Sequence, residues 1–197
     1  MTDSVIGTME DIGLILKALE FAAVRHKNQF RKGEDRPPYI NHPIQVANLL
    51  ANDAGEKDAV LLSASILHDV IEDTVETGDE KEQLIREIRN LFGDEVLDVT
   101  LEVTDDKSLR KPERKRLQVV HAPHMSDRAK KLKIADKILN VRDIKNNPPV
   151  GWHYDRIIEY FNWAEQVVSG LRGVNRKLEE MFDKTLAEAR EKYNMKE

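Results

Sequence analysis

One short stretch of the chain places a histidine and three carboxylates side by side, directly after an apolar segment. His68 and Asp69 are adjacent, and Glu72 and Asp73 follow them within about one helical turn. The preceding residues 59–65 are almost all apolar and predict a buried helix, where an unpaired charge is costly. A divalent metal would offset this negative charge, and imidazole and carboxylate are suitable ligands for it. The alternative is a solvated helix end with a packed histidine.

Two more polar residues could complete such a site. His42 lies at the start of a predicted helix, where a histidine is also common as part of a local cap. Asp136 interrupts an apolar helical run, and a carboxylate on the inner side of a helix needs a partner, either a metal or a cation such as Lys137. With His68 and Asp69 they form a set of two imidazoles and two carboxylates. This set suits Mn²⁺, Fe²⁺ or Zn²⁺ better than Mg²⁺ or Ca²⁺, which prefer oxygen ligands alone.

Helices must position these residues, because helical periodicity covers most of the chain and no segment alternates as a strand. The fold class is therefore all-α, a bundle of about eight to ten helices joined by short loops. Asn41 is predicted to cap the helix that carries His42, and Gly55 to end it. The central helix is predicted over 57–71, and the others over 12–30, 41–50, 80–91, 94–103, 112–121, 127–145, 153–170 and 174–193.

Composition excludes several classes of protein. The chain has 197 residues, of which 40% are hydrophobic, and a formal net charge of −5. We therefore expect a single domain over 1–197, with no bulk electrostatic case for binding DNA or RNA. The absence of cysteine excludes disulfides and thiolate chemistry. Residues 1–10 resemble a flexible lead-in rather than a signal peptide, and no apolar run approaches the roughly 20 residues of a membrane span, so we expect a cytoplasmic protein.

Ordered motifs surround the candidate residues. They are Tyr-Ile-Asn-His-Pro at 39–43, His-Asp-Val-Ile-Glu-Asp-Thr at 68–74, Glu-Val-Thr-Asp-Asp-Lys at 102–107, Arg-Lys-Arg-Leu-Gln at 114–118, Ala-Asp-Lys-Ile-Leu-Asn-Val-Arg-Asp at 135–143 and Glu-Tyr-Phe-Asn-Trp-Ala at 159–164. The order of histidines and aspartates resembles the HD metal-dependent phosphohydrolase superfamily. The longer motifs resemble the hydrolase domain of RelA/SpoT alarmone enzymes, and two of them the small stand-alone alarmone hydrolases, including metazoan SpoT homologues.

This resemblance implies an HD-domain helical bundle and a specific reaction. Family members remove the 3′-pyrophosphate of guanosine 3′,5′-bis(diphosphate), ppGpp, or of the pentaphosphate pppGpp, in a Mn²⁺-dependent reaction of the stringent response. The products are pyrophosphate and GDP or GTP. The resemblance implies that His42, His68, Asp69 and Asp136 are the metal ligands, with Fe²⁺, Co²⁺ or Zn²⁺ as alternatives to Mn²⁺. Because the chain is too short for a synthetase domain as well, we expect it only to degrade the alarmone.

Catalytic and substrate-binding roles follow from the same resemblance. Glu72 and Asp73 would lie one turn beyond the ligands, where one of them accepts or orients a proton of the attacking water. The nucleotide carries several negative charges, so basic side chains must converge on it. The resemblance implies the pair Arg31 and Lys32 around the guanine and the phosphates. Further expected contacts are Lys107, Lys137, Asn140, Arg142 and Tyr160.

Two other functions stay open at this point. One is an HD phosphohydrolase acting on another nucleotide, such as ppApp or the 2′-phosphate of NADPH, because the sequence defines the base pocket poorly. The other is an inactive nucleotide-binding sensor, which would be expected to lack Glu72, Asp73 or a metal ligand, whereas all are present. The helix predicted over 174–193 could pack within the domain or against a second copy, which leaves a homodimer open.

Overall fold

A computed structural model describes residues 8–194, and most of them are helical. The described residues contain no β-strand, only one isolated bridge between Phe30 and Pro38. The predicted all-α class is therefore confirmed. The α-helices are α1 (Met9–Arg25), α2 (Asn41–Asn48), α3 (Ala59–Leu67), α4 (Val70–Asp73), α5 (Gly78–Phe92), α6 (Asp94–Val103), α7 (Lys111–His121), α8 (Asp127–Asn146), α9 (Tyr154–Ser169) and α10 (Arg176–Lys192), with a π-helix at Leu49–Asp53 and a 3₁₀ turn at Ala122–His124.

Helices α3 and α8 form the centre of the bundle. Asp58 caps α3 by accepting two of its first N–H groups at 3.0 and 3.3 Å, and every residue from Leu61 to Leu67 is buried. The hydroxyl of Ser126 caps α8 by accepting the Ala129 N–H at 3.2 Å. Helix α3 packs against α1, α2, α6 and α8, and α8 also packs against α9 and α10. These two helices therefore position the candidate residues.

The predicted central helix is interrupted at the histidine–aspartate pair. Helix α3 ends before His68 and α4 begins after Asp69, so the prediction of one helix over 57–71 is wrong. The Nδ1 atom of His68 lies 2.7 Å from the carbonyl oxygen of Ser65, the acceptor that a continuous helix would offer to the Asp69 N–H. This side-chain hydrogen bond competes with the helical one. The interruption lets the two side chains turn toward neighbouring helices.

Two other helix boundaries differ from the prediction. Helix α1 ends at Arg25 rather than at Phe30, because the chain turns and becomes extended where it bridges to Pro38. Asn41 is the first residue of α2 and not its cap. The backbone N–H groups of Asn41 and His42 are already bonded within the preceding turn, at 3.1 and 2.9 Å, so no side-chain cap is needed there.

Helix α2 continues into the π-helix, which ends just before Gly55. The Ala54 N–H bonds to the Leu49 carbonyl at 2.9 Å and closes the last wide turn. Gly55 then adopts φ of +79°, a backbone conformation that favours glycine. The predicted stop at this glycine is confirmed.

The N-terminal boundary lies just inside the predicted lead-in. Residues 1–7 of that lead-in lie outside the described residues, while Met9 and Glu10 belong to α1. Thr8 and Asp11 form a capping box, with the Thr8 N–H donating to the Asp11 carboxylate at 2.8 Å and the Asp11 N–H donating to the Thr8 hydroxyl at 3.2 Å. Within 8–194, none of the helices combines the length and the apolar character needed to cross a membrane. The single-domain organisation over 1–197 stays a prediction.

Candidate active site

Three of the four predicted metal ligands converge between helices α2, α3 and α8. One ligand atom each from His42, His68 and Asp136 lies within 4.8 Å of the others, and all three residues are buried. The Nε2 atom of His42 is 3.1 Å from Oδ1 of Asp136, and Nε2 of His68 is 3.9 Å from the same oxygen. Residues far apart in the sequence therefore present two imidazoles and a carboxylate to one point.

The hydrogen bonds around His68 leave one ring nitrogen available for this point. Its Nδ1 donates to the Ser65 carbonyl, so the lone pair of the neutral ring lies on Nε2. That Nε2 atom is buried, and Oδ2 of Asp69 lies 2.9 Å from it. It carries either a proton or, in the neutral ring, a lone pair that can bind a cation. The donor set thus fits a divalent metal of the Mn²⁺, Fe²⁺ or Zn²⁺ type.

The fourth predicted ligand, Asp69, lies beside this group. Its Oδ2 atom is 2.9 Å from Nε2 of His68 and accepts the Tyr39 hydroxyl at 2.6 Å. Burial lowers the pKa of His68, but Asp69 and Asp136 outweigh it and raise that pKa to about 9. Burial opposes ionisation of Asp69, yet the adjacent His68 holds its pKa below the usual range. A divalent cation would displace the proton that lies between Nε2 of His68 and Asp69, because metal binding and protonation compete for that nitrogen.

Asp136 is held in place from both sides. Asn140 donates to Oδ1 at 2.5 Å, and Lys137 donates to Oδ2 at 3.0 Å. Burial opposes ionisation of Asp136, but Lys137 and the hydrogen bond with His42 keep its pKa well below the usual range. Lys137 itself is buried, and Asp136 raises its pKa. From the sequence, Lys137 was expected either to pair with the Asp136 carboxylate or to contact the substrate. The contact present in the structure is the one to Asp136.

Glu72 and Asp73 lie on α4 and face the same cavity. Oε2 of Glu72 accepts the backbone N–H of Asp105 at 3.2 Å, and Arg114 lies 3.6 Å from Oε1. Burial raises the pKa of Glu72 to about 7, and the nearby charge of Asp105 contributes. Asp73 forms an ion pair with Lys107. One carboxylate is therefore poised to exchange a proton near neutral pH, while the other is held by a lysine.

A cavity of about 420 Å³ connects these groups. His68, Asp69, Glu72, Asp73 and Asp136 line its floor. The predicted substrate residues Arg31, Lys32, Lys137, Asn140 and Tyr160 also line it, whereas Lys107 and Arg142 are outside the described lining.

The structure adds residues that the sequence analysis left without a role. Three aromatic rings, Trp152, Tyr160 and Trp163, form one wall of the cavity, and only Tyr160 was singled out beforehand. Asp143, Gln118 and Lys133 also line it. The signal that could have found Lys133 is a lysine within an apolar helical run, three residues before Asp136; it is buried, and its Nζ donates to the Val103 carbonyl at 3.1 Å.

The aromatic wall carries a group of cations. Lys111 and Arg156 lie over the Trp152 ring, 5.9 and 4.4 Å from its centroid, and Lys115 lies 4.9 Å from that of Trp163. Burial lowers the pKa of Lys111, and the neighbouring charges that add to this effect are all cations, among them Arg156 and Lys115. Cations that repel one another beside a cavity would be stabilised by a bound polyanion. We call Lys111, Lys115 and Arg156 the cationic rim.

Comparison with known proteins assigns the family. The chain matches the HD domain family over residues 18–155. It is 50% identical over 173 residues to the guanosine-3′,5′-bis(diphosphate) 3′-pyrophosphohydrolase MESH1 of Xenopus tropicalis, covering 88% of this chain and 93% of that protein. It is 52% identical over 166 residues to the Homo sapiens protein of the same name, covering 84% and 89%.

A solved structure agrees with these relatives. The structure described as a metazoan ortholog of SpoT that hydrolyses ppGpp and plays a role in starvation responses superimposes with a TM-score of 0.84. It is 40% identical, and the match covers 94% of this chain and 98% of that one. The histidine–aspartate cluster, the all-α bundle and these matches agree: the chain belongs to the HD-domain family.

Proposed function

We propose that this protein is a metal-dependent hydrolase that cleaves ppGpp and pppGpp at the 3′ position, releasing pyrophosphate and GDP or GTP. One observation carries the proposal. The buried group around His68 and Asp136 shares a cavity with Glu72, and the cationic rim stands beside the aromatic wall of that cavity. A site for a divalent cation, a proton acceptor and a polyanion site are the parts that this hydrolysis needs. The relatives named above support the choice of substrate.

The metal proposed for this site is Mn²⁺, with Fe²⁺, Co²⁺ or Zn²⁺ as alternatives, held by His42, His68, Asp69 and Asp136. When bound, such a cation offsets phosphoryl charge and lowers the pKa of water. The protein contributes the orientation of the ligands. Ser65 orders the His68 ring, Asn140 and Lys137 order the Asp136 carboxylate, and Tyr39 orders Asp69.

The proposed reaction consumes one water. Its oxygen attacks the phosphorus attached to the 3′ oxygen, the bond between that phosphorus and the 3′ oxygen breaks, and pyrophosphate leaves. The 3′ oxygen takes up a proton and becomes the hydroxyl of GDP. We assign Glu72 to accept the proton of the attacking water, because a pKa of about 7 lets it take and return a proton near neutral pH. Asp73 is assigned to orient the water.

The anionic parts of the substrate are assigned to the rest of the cavity. Arg31 and Lys32 are proposed to contact the guanine and the phosphates, and the cationic rim to receive a diphosphate group. Asn140 and Tyr160 are proposed to contact the ribose side of the nucleotide. Lys107 and Arg142 stay proposals for phosphate contacts that the described cavity lining does not include. A cytoplasmic location and a homodimer also stay predictions.

The test is a parallel assay of the purified protein loaded with Mn²⁺. It is incubated with ppGpp, ppApp and NADPH, and released pyrophosphate and phosphate are measured separately. The proposal expects pyrophosphate from ppGpp as the fastest reaction, abolished by a chelator and restored by added Mn²⁺. A matched protein carrying Glu72→Gln and Asp73→Asn controls for contaminating hydrolases. Faster turnover of ppApp or of the NADPH 2′-phosphate would transfer the function to that nucleotide, and no turnover of any of them would support a sensor.

A further inference from the structure

Residues 31–38 form a loop, which we call the rim loop. One face of the C-terminal part of helix α8 contacts this loop. Asp136, Asn140, Asp143 and Asn147 are spaced by four, three and four residues, so they lie on the same side of the helix. The guanidinium of Arg31 donates to Asn140 at 2.9 Å and to Asp143 at 2.5 Å. The helix that carries Asp136 therefore also holds the loop that carries Arg31.

The last residue on this face makes two polar contacts to the rim loop. Asn147 ends α8, and its Oδ1 accepts the Glu34 N–H at 3.0 Å while its Nδ2 donates to the Asp35 carboxylate at 3.2 Å. Three residues later, the Val150 N–H donates to the Lys32 carbonyl at 3.3 Å. A single side chain thus bonds both the backbone and a side chain of the loop.

Gly33 leaves the space in which the Asn147 side chain sits. A Cβ atom built on Gly33 would lie 2.6 Å from Cγ and 2.8 Å from Oδ1 of Asn147, and closer still to Nδ2. Real Cβ atoms do not approach other atoms so closely. The φ angle of Gly33 lies outside the left-handed region, so its backbone conformation is open to other residues. A Cβ atom at this position would therefore displace the Asn147 side chain.

Few other contacts fix the middle of the rim loop. Lys32, Glu34, Asp35 and Arg36 are exposed, and Gly33 between them is buried against Asn147. The loop also closes on itself, since the Arg31 N–H bonds to the Pro37 carbonyl at 2.9 Å. With no large apolar side chain at its tip, the loop depends on polar contacts for its position.

We propose that Asn147 and Gly33 form a clasp that positions the rim loop for nucleotide binding. The clasp holds the loop against the end of α8, so that Arg31 and Lys32 keep a fixed distance from the metal-site residue Asp136. Asn147 is a positioning residue, because it acts on the substrate only through the loop. This inference rests on the proposed function and adds to it two residues, Asn147 and Gly33, that raise substrate affinity by positioning the loop.

The first test is the variant Asn147→Ala, which removes both hydrogen bonds to the loop. We expect KM for ppGpp to rise by about tenfold and kcat to change by less than about twofold, since saturating substrate reorders the loop while the chemical groups stay in place. Asn146→Ala is the matched control, because it is the adjacent, exposed asparagine of the same helix. Its KM should equal that of the unmodified protein. An unchanged KM for Asn147→Ala, or a fall in kcat alone, overturns the clasp.

A second pair of variants separates the clasp from general loop damage. Gly33→Ala should raise KM at least as much as Asn147→Ala, because the added methyl group meets the Asn147 side chain. The double variant Gly33→Ala with Asn147→Ala should bind no worse than Asn147→Ala alone, because the atoms that the methyl group would meet are gone. Such non-additivity is the signature of direct contact. Additive losses would overturn the proposal.

Hydrogen exchange keeps this inference separate from the proposed function. In the metal-loaded protein without nucleotide, the Glu34 amide should exchange faster in Asn147→Ala than in Asn146→Ala, because its acceptor is lost. This readout does not depend on activity. Equal exchange in the two variants refutes the clasp even if ppGpp is hydrolysed, and faster exchange supports it even if another nucleotide is the substrate.

Discussion

The floor of the cavity and its cationic rim differ in how their charges are paired. On the floor, Asp136 is paired from two sides: His42 lies 3.1 Å from one of its oxygens, and Lys137 lies 3.0 Å from the other. All of these groups are buried. At the rim, Lys111 and its neighbours stand over aromatic rings and repel one another. Opposite charges are paired around Asp136 on the floor, whereas the rim brings three cations together, with Glu159 beside Lys115.

This difference separates two tasks. Buried polar groups that satisfy one another are rigid, and removing one leaves its partner buried and unpaired at high cost. The floor can therefore hold atoms in fixed geometry for a chemical step. The rim keeps its positive charge available, so an arriving polyanion relieves the repulsion. Substitutions on the floor should lower kcat, and those of a proposed ligand also metal binding, whereas substitutions at the rim should raise KM.

The largest expected effect is at His68. The variant His68→Ala should lose metal binding and activity together, because it removes a ligand atom and leaves Asp69 and Asp136 as buried neighbours with less compensating charge. Metal content by mass spectrometry and ppGpp turnover measure the two losses. His121→Ala is the control, because that histidine is exposed. A metal-free His68→Ala protein that kept full turnover would show that the floor is not the chemical site.

The next largest effect is expected at Asp73, a second residue of the floor. Asp73→Asn should retain the metal and lower kcat by about 10²-fold, because it removes a group that orients the water but not a ligand. KM should change little. Asp79→Asn, an exposed carboxylate in the first turn of α5, is the control. Unchanged turnover in Asp73→Asn would refute its role.

Roles were predicted from the sequence for residues of the floor and for none of the cationic rim. His68, Asp69 and Asp136 stand out because charged side chains in apolar helical runs need a partner, and that signal is local. What the sequence did not show is the interruption after α3, because helical periodicity continues through it while a side-chain hydrogen bond to Ser65 ends the helix. A local side-chain hydrogen bond therefore decided this boundary.

The residues of the cationic rim had no comparable signal in the sequence. Helix α7 begins Lys-Pro-Glu-Arg-Lys-Arg, and a helix so rich in charge does not reveal which lysine faces a cavity. Only the packing of α7 against α9 places Lys115 over the Trp163 ring. Asn147 likewise had no signal in the sequence, because its contact with Gly33 joins positions far apart in the chain.

A smaller effect is expected at the rim. Lys111→Gln should raise KM for ppGpp by about fivefold and leave kcat and metal content unchanged, because it removes one charge that attracts the polyanion. The salt dependence of kcat/KM should also become less steep. Lys184→Gln on the exposed surface of α10 is the control. A loss in kcat without a change in KM would contradict the division between floor and rim.

The smallest effect concerns the pH dependence of the floor. Burial first, and then the charges of Asp105 and Asp69, raise the pKa of Glu72 to about 7. If Glu72 acts as the base, activity rises as pH increases through the pKa of Glu72, because only the ionised carboxylate accepts a proton. Asp105→Asn removes one of the negative charges that disfavour ionisation. The acid limb of the pH profile of kcat/KM should therefore move to lower pH by roughly one unit.

The neighbouring carboxylate provides the control for this prediction. Asp106→Asn changes an exposed carboxylate on the same loop, one that does not act on Glu72, and its profile should match that of the unmodified protein. A bound cation exerts the same electrostatic effect on the unmodified protein and on both variants. The difference between their pH profiles therefore reports the effect of the Asp105 charge alone. A shift of the alkaline limb to lower pH instead would show that Glu72 acts in its protonated form, and no shift of either limb would assign the base to another group on the floor.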